Sequence, residues 1–369
     1  MNILILGGTG AMGYPLSKLA AAQGNNVYVT SRSVHSSQGR LHYLQGNAKN
    51  VVFLKDCLSR MRYDAIVDFM SYSTEEFDGR VRLLLQSTDQ YVFISSARIF
   101  AESKKPLTES SPRLLDTVQD VEYLKTDEYA LSKARQEDII LSSGFSNYTI
   151  VRPSVTYNTH RLQLGALEKE NWLYRALKGR SIVFSNDLAD KYTAMTHGDD
   201  VAKAIYVVIG KKECLNQSYN IVIDRSLKWR DILNVYLDVM EEAIGKRPKV
   251  VLGDETIKLK DEQFKYQVIY ARRLNRVFDN AKIKKVYHEG FMRSEEGLAI
   301  VLKEFLKKPL FQGINWKYEA WSDRISKEYT PLSEIPTFRS KLMYLCYRHQ
   351  VGWMFESIQY MWYLLKRQS

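Results

Sequence analysis

Short apolar runs alternate with longer amphipathic stretches through the first 150 residues of the chain. Runs at 3–6, 27–30, 51–54, 65–69, 91–95 and 148–151 read as strands, and the stretches between most of them, including 75–86 and 118–142, read as helices. Parallel strands need a crossover connection, so this alternation predicts βαβ units and an α/β, doubly wound parallel sheet over residues 1–152. Ligands of such sheets bind at the carboxyl ends of the strands. From about residue 153 the rhythm loosens. Helix-like runs at 165–178, 199–208 and 229–243 and short strands near 182–184 and 219–223 predict a smaller substrate lobe over 153–330, interleaved with the end of the first domain. Residues 331–369 read as a separate helical tail.

Bulk properties change this picture little. The three cysteines, Cys57, Cys214 and Cys346, are far apart and form no CxxC pair, so no disulfide framework or zinc site is indicated and a reducing cytoplasm is expected. No secretory leader is legible ahead of the first strand, and no apolar run approaches the roughly 20 residues of a membrane span. The net charge of +11 suits an anionic partner, but Lys and Arg are scattered rather than blocked. The tail holds five basic residues (Arg339, Lys341, Arg348, Lys366, Arg367) against Glu334 and Glu356. Its last part is apolar nearly all round a helix, which predicts burial on the chain or in a subunit interface. The basic end makes contact with a membrane surface the sharper alternative.

The opening run breaks into Gly7, Gly8, Gly10 and Gly13 before a helix over 15–22. Both GxGxxG and GxxGxxG are satisfied. The first glycine allows a tight turn, Gly10 lets a pyrophosphate approach the backbone, and Gly13 lets helix and strand pack closely. The free N–H groups of a helix start then face the phosphates. Gly7, Gly10, Ala11, Met12 and Gly13 are therefore expected to bind a dinucleotide, and the sheet to be Rossmann-type. The second strand ends in Ser31 and Arg32 where an acidic residue would hold a ribose 2′-hydroxyl. The missing carboxylate and the arginine favour NADP over NAD; otherwise Arg32 is a solvated charge or stacks on adenine.

Tyr129 and Lys133 are four apart and share a helix face. A phenol is a poor base at neutral pH, and an ammonium beside it favours the phenolate, which suits proton exchange with a hydroxyl or carbonyl. Ser95 and Ser96 end the preceding strand, where a hydroxyl would orient the substrate oxygen.

Over about residues 2–310 the chain resembles the short-chain dehydrogenase/reductase superfamily, most of all its extended branch, the NAD-dependent epimerase/dehydratase family acting on nucleotide sugars. The resemblance rests on "GGTGAMG", "VDFMSY", "ISSARIF", Tyr129-x-x-x-Lys133, "VRPSVTYN", "THGDDVAKAI", "FDNAKIKKV" and "SEEGLAIVLKEF". It implies that Tyr129 is the acid–base and that Ser96 is the catalytic serine. It implies that Lys133 holds the nicotinamide ribose and tunes the phenol. Asp56 would meet the adenine, Phe69, Met70 and Ser71 would lie beside the riboses, and Arg152 and Pro153 would open the segment passing the nicotinamide. It further implies a nucleotide-sugar or other anionic small-molecule substrate, epimerase or reductase chemistry with NADP or NAD, and a homodimer.

The departures narrow the reaction. Ala97 and Arg98 follow Ser96 where the dehydratase branch has Asp-Glu, so a 4,6-dehydratase is not expected. Val155 stands where epimerases often carry Asn, Gly198 where a larger apolar residue is usual, and the arginine before "THGDD" is missing. Arg161, Arg175, Lys178, Arg180, Lys191 and Arg230 are candidate replacements for the diphosphate-binding arm. Two alternatives stay open: a reductase of a non-sugar carbonyl, and an RNA-binding member without turnover. The second lacks a legible basic stripe or stacking platform, so nucleic acid is not the expected partner. His197 reads as structural at a helix start and Trp229 as packing.

Overall fold

The protein is described as a computed structural model covering residues 1–357. Its central sheet has seven parallel strands: β1 (Asn2–Leu6), β2 (Asn26–Ser31), β3 (Leu41–Gln45), β4 (Tyr63–Asp68), β5 (Thr88–Ile94), β6 (Tyr148–Pro153) and β7 (Gln217–Ile221). They lie in the order β7-β6-β5-β4-β1-β2-β3. The order reverses between β1 and β4, which opens a crevice at their carboxyl ends.

Both faces are covered. On one, Ile3 and Ile5 of β1 pack with Leu16 and Ala20 of helix α1 (Gly13–Ala22) and with Val201 and Ile205 of the later helix Gly198–Val208. On the other, Leu4 and Leu6 pack with Leu54 of α2 (Val51–Ser59), with Phe77 and Leu84 of α3 (Thr74–Gln86) and with Ile140 of α4 (Tyr129–Leu141). A strand buried on both faces reads as a continuous apolar run, which is why β1 was legible.

Three readings are corrected. Residues 51–54 begin a helix, not a strand. The Asn50 side chain caps its start by accepting the N–H groups of Val52 and Phe53 at 2.9 and 3.2 Å, while Leu54, Cys57 and Leu58 face inward and Val52 is 77% exposed. The third strand is β3, at the edge of the sheet, half-buried over residues 41–44 and exposed at Gln45, so its sequence has no apolar run. The helix read over 118–142 is two. Val121–Leu124 is capped by Asp120, and α4 starts afresh behind Glu128, whose carboxylate accepts Ala130 N–H at 2.8 Å.

The chain forms two compact units. The first comprises Met1–His160, Tyr192–Leu227 and Leu274–Leu298. Tyr192–Leu227, read in the sequence as lobe, belongs here because β7 pairs with β6 and Met195–His197 pairs with Val155–Tyr157. The second comprises Arg161–Lys191, Lys228–Arg273 and the chain from Ala299. It contains the parallel pair Ile182–Ser185 and Val250–Gly253 and the helices Lys169–Leu177, Trp229–Ile244 and Trp316–Ser326. Part of the tail packs here: Ile335 and Tyr344 join Trp316 and Ala320 in one apolar cluster, and Tyr344 lies on the helix Phe338–Arg348. The final basic pair, Lys366 and Arg367, lies outside the described residues. Among the described residues no helix is long and apolar enough to cross a membrane.

Candidate active site

The glycine turn follows β1. Gly7 has φ +68°, a left-handed conformation that strains any larger residue, and a Cβ there would also press on Met70 Sδ at 2.8 Å, which the flexible methionine would have to relieve. A Cβ on Gly13 would fall 2.6 Å from Gly8 Cα, the close approach of helix to turn expected of the third glycine. A Cβ on Gly10 would meet no atom within 4 Å, so nothing in the chain's own packing demands glycine there. The first turn of α1 has no acidic residue and no side-chain cap, which leaves its N–H groups open to an anion. Met12 packs against the core. The Ala11 carbonyl explains Gly198: a Cβ there would stand 2.7 Å from that oxygen. His197, not an aspartate, caps the helix Gly198–Val208, its Nδ1 accepting Asp199 N–H at 3.3 Å.

At the end of β2, Ser31 is buried and its Oγ accepts Ser33 N–H at 3.2 Å. Arg32 is exposed and makes no ion pair among the described residues. Asp56 is not at a strand end. It sits within α2, half-exposed and paired with Arg60 at 2.8 Å, because the segment that carries it is helical. Gly46 and Asn47 instead follow a sheet strand, with Gly46 N–H bonded to the Ser31 carbonyl at 2.8 Å.

The end of β4 carries a buried acid. Asp68 accepts Met70 N–H at 2.9 Å and the Tyr91 hydroxyl at 2.8 Å. Burial pushes its carboxyl up. Phe69 N–H extends the sheet by bonding the Leu6 carbonyl at 3.0 Å. Ser71 lines an open cleft of about 630 Å³ together with Tyr72, Ser73, Tyr129, Ser132 and Lys133, and with Lys49, Glu76 and Asp127. The cleft therefore brings together three of the residues singled out in the sequence: Ser71, Tyr129 and Lys133.

Tyr129 is the first residue of α4 and is 39% exposed. Lys133, one turn on, is buried; its Nζ donates to the Ile94 carbonyl at 2.8 Å and lies 4.5 Å above the Phe93 ring. Burial pushes this ammonium down to about 8, against the opposing pull of Asp68 and Glu137. The two serines after β5 divide their work. Ser95 Oγ donates to Glu137 at 2.5 Å, whereas Ser96 Oγ accepts Arg98 N–H at 3.2 Å and keeps its own hydrogen to give.

Sequence reasoning missed Glu137. It is completely buried and lies four residues after Lys133, so Tyr129, Lys133 and Glu137 form one stripe on α4. That i, i+4 spacing was the available signal. Glu137 also redirects Arg152. Nε and Nη2 of Arg152 bind the two carboxylate oxygens at 2.8 and 2.7 Å, and Nη1 donates to the Glu109 carbonyl at 3.0 Å. The Arg152 side chain is thus an internal clamp, and only the backbone of Arg152 and Pro153, at the end of β6, stays at the crevice edge.

Most of the proposed diphosphate arm is also engaged within the second unit. Arg175 is fully buried against Glu319 and Asp323 at 2.7 and 2.8 Å, Arg180 pairs with Glu334 at 3.0 Å, and Arg230 pairs with Asp190 at 2.7 Å. Trp229 is 1% exposed and packs internally.

The description "NAD dependent epimerase/dehydratase family" fits residues 3–222 of the chain. Among curated proteins, the chloroplast stem-loop binding protein of 41 kDa b from Arabidopsis thaliana is 26% identical over 237 residues, 60% of this chain and 58% of that protein. The UDP-glucose 4-epimerase of Lacticaseibacillus casei is 27% identical over 162 residues, 38% of this chain and 46% of that enzyme. The chain thus spans about half the length of the curated relatives it matches. Among solved structures, the Bordetella bronchiseptica enzyme WbmH in complex with NAD+ superposes with a TM-score of 0.64 at 13% identity, covering 84% of this chain and 99% of that one. At that identity the likeness speaks to fold alone.

Proposed function

The chain belongs to the NAD-dependent epimerase/dehydratase family, and from that premise we propose that it exchanges hydride and proton at a carbinol or carbonyl carbon of a nucleotide sugar. The observation that carries this reading is Tyr129 and Lys133 on consecutive turns of α4 in one cleft, beside the serine-bearing end of β5.

The residues fit a bound dinucleotide. Gly10 and the uncapped start of α1 offer backbone N–H groups to a pyrophosphate, and Ser31 and Arg32 stand at the end of β2. When bound, the nicotinamide supplies the hydride donor or acceptor. The chain's own groups do the rest. Ser96 Oγ donates to the substrate oxygen, Tyr129 Oη exchanges a proton with it, and the Lys133 ammonium keeps positive charge beside the phenol.

A direct test identifies any nucleotide that co-purifies by mass spectrometry. It then follows reduced-nicotinamide absorbance with UDP-glucose, UDP-galactose and UDP-glucuronic acid. Failure to bind either NAD or NADP rejects the reading.

Two further outcomes are expected. Arg32→Asp weakens NADPH relative to NADH by about tenfold or more, the order of one lost charge-assisted hydrogen bond; titrations of both cofactors that leave their ratio unchanged contradict the role. The second concerns pH. Lys133 titrates near 8 in the folded chain, so kcat/KM declines as pH rises past about 8 and the ammonium is lost. Because its folded pKa lies below the ordinary lysine value of 10.5, the same group adds stability as pH rises between those two values. A flat activity profile from pH 7 to 10 would exclude a role for its charge.

A second reading has one specific support: a relative named for stem-loop binding, alongside a net charge of +11. Binding of a stem-loop RNA that weakens steeply with salt and is insensitive to NAD and NADP would favour it.

A further inference from the structure

Arg98 joins the two ends of the proposed proton-transfer site. Its backbone N–H holds Ser96 Oγ at 3.2 Å. Its guanidinium lies over the Tyr129 ring, with Cζ 5.1 Å from the centroid, and pairs with Glu128. Glu128 in turn anchors the start of α4, accepting Ala130 N–H at 2.8 Å and the Tyr123 hydroxyl at 3.2 Å. The ion pair is largely shielded, with 18% and 13% of the two side chains exposed.

Tyr129 needs such a partner. It opens the helix, and its hydroxyl makes no hydrogen bond among the described residues. A half-exposed ring at a helix start is free to change χ1 rotamer unless something holds a face. The ion pair with Glu128 leaves Arg98 Nε buried without an acceptor among the described residues. Contact with the ring adds to that tether, since a guanidinium over an aromatic face is attracted by the ring quadrupole.

We infer that Arg98 is the positioning residue of Tyr129: lying on the ring and tethered through Glu128, it holds the phenol where it meets the substrate oxygen bound by Ser96. This rests on the function proposed above.

A double-mutant cycle on the full chain tests it, using R98M, R98Q, R98K, Y129F and R98M/Y129F. Assays use UDP-glucose, UDP-galactose and UDP-glucuronic acid with NAD+ and NADP+, and cofactor Kd is measured separately. R98M is expected to lower kcat by about 10- to 100-fold, the scale of a misplaced reacting group, with KM and cofactor Kd within about threefold of wild type. R98K recovers part of the loss because a cation returns to the ring. Adding R98M to Y129F costs nothing more, because both act through one phenol. R98Q supplies the same comparison if R98M does not fold.

Wild-type kcat in R98M or R98Q overturns the assignment. So do losses that multiply in the double variant, or KM and cofactor Kd rising in step with the fall in kcat. A wild-type chain that turns over none of the three sugars, or a Y129F chain as fast as wild type, rejects the proposed function itself and the Arg98 assignment with it. An inactive Y129F beside a fully active R98M rejects Arg98 alone.

Discussion

Tyr129→Phe is expected to lower kcat by about 10²- to 10⁴-fold, the contribution of a positioned general acid–base group, while the fold stays intact. The change removes one hydroxyl from a residue that is 39% exposed and has no hydrogen bond from that hydroxyl among the described residues. Its effect on stability should stay within about 0.5 kcal/mol, as for most surface substitutions. Cofactor Kd and Tm should therefore match wild type, which makes kcat the reporting quantity. Lys133 offers a less clean test. It is 3% exposed and donates to the Ile94 carbonyl, so its removal strips a buried acceptor as well as a charge. A Tyr129→Phe chain that keeps kcat within a few-fold of wild type would remove the phenol from the mechanism.

The largest structural effect is expected at Arg175. Its guanidinium is completely buried and donates to Glu319, Asp323, the Ser181 carbonyl and Glu328 at 2.7, 2.8, 3.0 and 3.2 Å. Arg175→Ala leaves two nearly inaccessible carboxylates with Arg180 as the neighbouring cation, 3.7 Å from Glu319. Breaking a buried ion pair from one side typically costs about 3–5 kcal/mol, because the remaining charge stays desolvated. Among the described residues the tryptophans are Trp172, Trp229, Trp316, Trp321 and Trp353, all in the second unit, so tryptophan fluorescence follows its unfolding.

The loss should also grow with pH. Burial already pushes Glu319 up to about 7 in the presence of Arg175. A carboxyl whose folded pKa is raised is best accommodated protonated, and its contribution is lost as pH rises from the ordinary glutamate value of 4.5 through that folded value. Without the guanidinium the penalty of ionisation is larger still. Urea midpoints for Arg175→Ala should therefore fall further below wild type at pH 8 than at pH 5. An unchanged midpoint, or a deficit independent of pH, would show that the cluster does not carry this part of the unit.

Arg152 and Arg175 teach the same lesson. One was read as part of the segment passing the nicotinamide, the other as a candidate for a diphosphate arm. In the fold Arg152 binds Glu137, 15 residues earlier, and Arg175 binds Glu319 and Asp323, 144 and 148 residues later. The segment that carries Asp56 was misread for a nearer reason. Asn50 caps a helix, and an apolar run of four residues cannot by itself distinguish helix from strand.

Short-range order was legible where the local signal was strong, and misread at 41–45, 51–54 and 118–142. The alternation of strand and helix, the turn around Gly7 and Gly13, and the spacing that puts Tyr129 and Lys133 on one face are each encoded within a few consecutive residues. Steric limits on φ, the 3.6-residue helical repeat and continuous apolar burial act at that range. The tertiary structure alone decided which charges are committed to one another. Glu137 claims Ser95 and Arg152, the carboxylates of the Trp316–Ser326 helix claim Arg175, and Arg98 is brought over Tyr129. The physical reason is desolvation: a buried ion must be answered by whatever opposite charge or dipole the packing delivers, and chain separation has no bearing on that choice.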